Sequence, residues 1–238
     1  MTQLRIALVS GLLAVAATAS FADETPDAAP EAEPVAEPQD DAAGPTTYTL
    51  DASKSLLYVM IFNDNNRWTP VTGHDHAIRA MDFTGSVTWD NEDLSSCTVA
   101  IQFPVTALAV DPPGLRELTG LPADGAISDG QKKTVINNMR GRSQLDQSRF
   151  PQISYKSTSC EANGDFVNVT GTLSIHGVGK VVTVPMTVMA SDTSFSANGA
   201  FTLNHADFGM KPFTYGPMTP RNAEPLTFKV KVVGTPSP

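Results

Sequence analysis

The sequence predicts an all-β domain of eight or nine antiparallel strands with one short helical insertion. Nearly every segment after Thr46 alternates apolar and polar residues with period two, the spacing that gives a strand one buried face. Turn-formers separate these runs, among them Asp90-Asn91-Glu92-Asp93 and the pair Gly177 and Gly179. One stretch, Asp111 to Ser148, loses the alternation and is rich in Pro, Gly and charge. A closed barrel and a two-sheet sandwich both satisfy this pattern, and closure also leaves no unpaired edge.

In chain order, Tyr48 to Leu50 is a short first strand. Ser55 to Phe62 is apolar on both faces, with Leu57, Val59 and Ile61 on one and Leu56, Tyr58, Met60 and Phe62 on the other. A polar loop covers Asn63 to Thr72. The next strand is expected over Met81 to Trp89, with Met81, Phe83, Gly85, Val87 and Trp89 in one row. Cys97 to Val105 follows and aligns Val99, Ile101 and Phe103. Inside the break, Ser128 is placed to cap a helix to about Arg140, with Val135 and Met139 on one face. Strands resume at Gln152 to Cys160, with Ile153 and Tyr155 sharing a face. The clearest hairpin is Asp165 to Val188: Val167, Val169, Gly171, Leu173 and Ile175 in one arm, Val182, Val184, Met186 and Val188 in the other. Pro185 interrupts that second arm and points to a bulge or an edge. Ser194 to Leu203 and Leu226 to Val233 complete the set, carrying Phe201 and Phe228 on their apolar rows. The glycines and alanine at Gly85, Gly171, Ala197 and Gly199 are expected to leave room inside.

Two N-terminal segments stand apart. Arg5, the apolar run Ile6 to Ala17 and the ending Ser20-Phe21-Ala22 read as an export signal over residues 1–22, cleaved near Ala22. The run is shorter than the roughly 20 residues a membrane helix needs, and no span is expected elsewhere. Residues 23–45 carry eight acids and no base among Pro and Ala, the composition of a disordered linker. The formal charge of −9 is mostly theirs, since the rest holds 17 acids against 15 bases. That balance argues against nucleic acid, which selects a basic surface.

The chemistry candidates are few. Cys97 and Cys160 invite one disulfide in an exported chain, although simple alternation puts the two on different rows, so a bridge requires a bulge or an irregular strand end. Gly73-His74-Asp75-His76 holds two histidines at i and i+2. They read as a metal pair if His176 or His205 converges on them, or as groups that fix a loop or bind the polar end of a ligand. Lys132, Lys133, Arg140, Arg142 and Arg149 offer either a solvated helix face or an anion contact. Met81, Met186 and Met210 offer either core or a pliable wall. No nucleophile elbow, phosphate loop, dinucleotide fingerprint or zincin motif occurs, so neither an enzyme nor a cofactor is expected.

Taken together, five landmarks resemble the YceI-like family of bacterial periplasmic lipid-binding proteins. They are YTLD at 48–51, GHDH at 73–76 before MDF at 81–83, RFPQISYKS at 149–157, VTGTLSIHGVGK at 169–180, and NHADFG at 204–209. The resemblance runs from Thr46 to about Val233, and the Pro-rich stretch from Lys211 to Pro225 departs from it. It implies an extended, lipocalin-like antiparallel barrel of about eight strands over residues 46–238, holding a long isoprenoid or related lipid. The ligand-lining residues expected on that basis are Val59, Ile61, Phe83, Val87, Ile101, Phe103, Leu173, Ile175, Val184, Met186, Phe201 and Phe228, with His74 and His76 at a polar mouth. A histidine-based metal or electron-transfer protein and a solidly packed adaptor barrel are the alternatives. The oligomeric state is open, a dimer included.

Overall fold

The computed structural model describes residues 44–64, 68 and 73–238. The expected export signal, nearly all of the acidic segment and part of the loop expected from Asn63 lie outside these residues. Eleven strands form among the described residues: β1 (Thr46–Leu50), β2 (Leu56–Asn63), β3 (His76–Ala80), β4 (Thr84–Trp89), β5 (Thr98–Pro104), β6 (Leu108–Val110), β7 (Gln152–Asn163), β8 (Phe166–Ile175), β9 (Val178–Ser191), β10 (Ser194–Asn204) and β11 (Asn222–Pro236). Two helices, α1 (Leu115–Thr119) and α2 (Asp129–Arg140), lie between β6 and β7.

Eight strands close an antiparallel barrel in the order β1-β4-β5-β7-β8-β9-β10-β11, with β11 returning to β1. The ring closes through Tyr48, which is paired with Val87 on one side and Pro236 on the other. The long β11 also pairs, through Lys231 to Asn222, with β2, and β2-β3-β6 extend the sheet from there. That extension explains why β2 is apolar on both faces. Leu57, Val59 and Ile61 face the barrel interior, while Leu56, Tyr58, Met60 and Phe62 pack outside against Ala77, Leu115 and Leu121.

The structure differs from the sequence reading in the middle of the chain. No single strand runs from Met81 to Trp89; the chain bends at Met81-Asp82, between β3 and β4, and Met81 is 47% exposed. Of the alternating row there, Gly85, Val87 and Trp89 lie in β4, while Met81 and Phe83 fall in the bend before it. β6 and α1 are too short to show a period. α2 forms where Ser128 indicated: its hydroxyl accepts from the Gln131 N–H and the Gln131 side chain reaches back to the Ser128 N–H, a reciprocal cap.

Both irregularities that the hairpin and the cysteines required are present. The β9–β10 ladder ends at Met186↔Gly199, one residue short of Pro185, which has no N–H to continue it. In β7 the register slips between Ser157 and Ser159. The extra residue flips the parity, so Ile153 and Cys160 are both buried although they stand an odd number of positions apart, seven. Cys97 and Cys160 are bridged, with Cα atoms 6.0 Å apart.

Candidate functional site

The inward rows of the barrel do not meet. They enclose a cavity of about 220 Å³, roughly fifteen times what one buried water requires. Tyr48, Trp89 and Phe195 pack at one end of the barrel, with ring centroids 5.3 Å (Tyr48–Phe195) and 6.0 Å (Trp89–Phe195) apart, near the Cys97–Cys160 bridge. Met139, Leu145 and Met210 line the other end. Between the ends, Phe201 and Phe228 stack at 4.8 Å on paired positions of β10 and β11. From Phe195 to Leu203, β10 alone spans roughly 27 Å of extended chain.

Of the residues expected at the wall, Val59, Ile61, Val87, Ile101, Phe103, Leu173, Ile175, Val184, Met186, Phe201 and Phe228 line this cavity. They come from seven strands, and only barrel closure assembles them. Phe83 is buried but does not line it, because the bend before β4 takes it off the inward row. His74 and His76 do not line it either; His74 is exposed and His76 opens β3 on the extension beside the barrel. The glycines leave no room for a ligand. A Cβ on Gly171 would meet the Lys156 carbonyl oxygen at 2.5 Å and the Tyr155 ring at 2.7 Å, and one on Gly199 would overlap the Met186 sulfur. Of the four small residues expected to leave room, only Ala197 lines the cavity. Met81 is likewise outside, whereas Met186 and Met210 are wall residues.

Residues 48–233 match the YceI-like domain. The chain belongs to the YceI-like family. A UPF0312 protein of Pseudomonas aeruginosa (strain LESB58) is 26% identical over 139 residues, 56% of this chain and 62% of that protein. A UPF0312 protein of Yersinia pestis (strain Pestoides F) is 37% identical over 70 residues, 26% of this chain and 36% of its own length. The chain thus matches about a third of the Yersinia relatives. The crystal structure of Burkholderia cenocepacia BcnA shares the fold, with a TM-score of 0.55 at 19% identity over 77% of this chain and 98% of BcnA.

In this YceI-like chain the histidines do not converge. His76 Nδ1 donates to Asp111 Oδ2 at 2.8 Å, His176 Nδ1 to the Phe208 carbonyl at 3.2 Å, and His205 Nδ1 to the Glu224 carbonyl at 2.9 Å. Among the described residues no group of three or more His, Cys, Asp or Glu is placed to hold a metal ion. His76 instead belongs to a structural network. The carboxylate of Asp111, fully buried, also accepts from the Ala77 N–H and from Arg116 Nη1, while its carbonyl accepts from Lys132 Nζ. Burial alone would raise this carboxyl. The bonds from His76 and Ala77, with the charges of His76 and Arg116, outweigh burial and hold it below the ordinary carboxylate value. The network ties β3, β6, α1 and α2 together beside the barrel.

The seam where β9 and β10 part is filled by a 3-10 turn, His205–Phe208. Lys180 pairs with Asp207 at 2.7 Å across it, and Phe208 is fully buried. This turn brings His205 to the cavity wall, where Gln144 also lies. Sequence reasoning missed both as wall residues, together with Leu145. The signal for His205 was its place immediately after an alternating strand; Gln144 lies in a stretch with no period. Tyr155 is on the wall as well. Burial pushes its phenol up to about 12, so it remains a neutral donor to the Val169 carbonyl.

Proposed function

We propose that this protein is an exported, periplasmic binding protein that holds a long apolar ligand, a polyisoprenoid or similar lipid, inside its barrel for transport, storage or sequestration. The observation that carries the reading is the apolar cavity running from the Tyr48–Trp89–Phe195 cluster to Met139 and Met210. Burial of chain methylenes there supplies the driving force, about 0.8 kcal/mol each before ordering costs. The barrel walls hold the chain by shape and apolarity, and no reaction on the ligand is required. The N-terminal export signal read from the sequence fits a periplasmic destination. A solidly packed adaptor does not account for a void of this size, which costs stability unless something fills it.

Ala197 sits on the wall in the row that holds Phe195 and Phe201. Ala197→Phe puts a ring into the void. Titration with a fluorescent long-chain probe should show binding weakened by about tenfold or more, with the melting temperature kept or raised because a cavity has been filled. Unchanged probe affinity in a variant that still folds contradicts an interior binding site.

A further inference from the structure

At the end of the cavity lined by Met139, Leu145 and Met210, two deeply buried polar side chains join a wall whose other polar members are Tyr58, Ser154, Tyr155 and Lys229. His205 is 2% exposed and Gln144 is 9% exposed. Both are tied to one corner of the fold, residues 205–211. The Met210 N–H donates to the His205 carbonyl, and the next carbonyl, that of Lys211, accepts from Gln144 Nε2 at 3.1 Å.

The hydrogen bonds already made fix what each side chain has left to offer. A carbonyl only accepts, so the bond from His205 Nδ1 to Glu224 places the ring proton on Nδ1. The neutral imidazole is left with Nε2 as an acceptor, and Nε2 has no protein partner among the described residues. Gln144 Nε2 donates to two carbonyls, those of Ser143 and Lys211. Flipping the amide would set its oxygen against both, so Oε1 is the free end, and it too is an acceptor without a partner among the described residues. Each of these two buried wall residues therefore has an acceptor left over and no donor to match it.

We infer that this end recognises the ligand by a neutral, hydrogen-bond-donating terminus at His205 Nε2 and Gln144 Oε1: a primary amide, whose two N–H groups can meet both acceptors, or a hydroxyl, whose one proton meets either of them. The inference rests on the proposed apolar-chain reading and adds the ligand's polar end and its orientation. A carboxylate or phosphate terminus brings acceptors to acceptors and is disfavoured. An ether or a bare hydrocarbon leaves both protein groups unpaired, the situation in which a polar site discriminates most strongly.

The test uses ligands of one chain length differing only at the end: alcohol, primary amide, methyl ether, carboxylate and hydrocarbon. Their affinities are measured by displacement of a fluorescent chain from the purified full chain in mildly alkaline buffer. Alcohol and amide are expected to bind about tenfold tighter than the ether. Gln144→Met and His205→Leu should each shrink that preference several-fold and leave hydrocarbon affinity in place, a separation that a merely structural role does not produce. Gln144→Met is close to isosteric and serves alone if the histidine variant misfolds. Equal binding of ether and alcohol, tightest binding of the carboxylate, or a preference that survives both substitutions overturns the inference while the apolar-chain reading stands. Failure of every chain to bind overturns the apolar-chain reading and this one with it.

Discussion

Asp111→Asn lowers the folding stability by about 3–5 kcal/mol, the cost of leaving a buried ion pair without one partner, and the melting temperature by roughly 10 °C for a domain of this size. Asp111 and Arg116 side chains are 0% and 12% exposed, so little water replaces the lost charge. Arg116 also donates to the carbonyls of Asp75 and Pro122, so the guanidinium stays where it is with no counterion. Asn is the informative substitution because Asp111 has φ 42°, a conformation that Asn tolerates about as well as Asp. The change then reports charge and not backbone strain. The pH dependence follows from the sign of the shift. The folded-state carboxyl lies below its ordinary value, so its contribution is complete above that ordinary value and is lost as pH falls through the depressed one. Thermal melts across the acid range should show the wild type losing this increment below about pH 4, with the Asn variant flatter there. A variant within 1 kcal/mol of wild type at neutral pH, on the order of a surface change, contradicts the network's role.

The Cys97→Ser/Cys160→Ser pair should cost about 4 kcal/mol, the chain-entropy value for a loop of this length, since the bridge spans 63 residues. That loop contains β5, β6, both helices and most of β7, so the unfolded chain loses much of its freedom when bridged. The thiol-free variant is expected to melt roughly 10 °C lower, and adding a reductant to wild type should produce the same curve. The bridge lies by the Trp89 end of the barrel, away from Met139 and Met210. Below its melting point the variant should therefore keep its preference for an alcohol over an ether. Loss of stability without loss of selectivity separates the two ends of the cavity; no change in melting argues that the unfolded chain is already constrained by other means.

Much of this architecture was legible because period-two alternation is a strong, local signal. The rows Val167 to Ile175, Val182 to Val188 and Leu226 to Val232 lie in β8, β9 and β11. The apolar outer row of β2 was legible too, although what it packs against, Ala77, Leu115 and Leu121, was not. What was not legible depends on tertiary closure. Phe83 shares its parity with Val87, yet the bend at Met81-Asp82 removes it from the wall. Gly171 suggested space, but Tyr155 on the neighbouring strand occupies it. The histidines of GHDH looked like a mouth because they are dense in sequence, whereas His76 pairs with Asp111, 35 residues away, and His74 is exposed. His205 and Gln144 come from a 3-10 turn and a loop, neither of which has a period to read.

The central claim is that the barrel interior holds an apolar chain. Purified protein extracted with organic solvent, and the extract weighed against protein by mass spectrometry, tests it most directly. A near-stoichiometric long-chain lipid with a neutral polar end is the expected result. An extract free of lipid, from protein that also fails to take up added isoprenoids or alcohols, contradicts the claim.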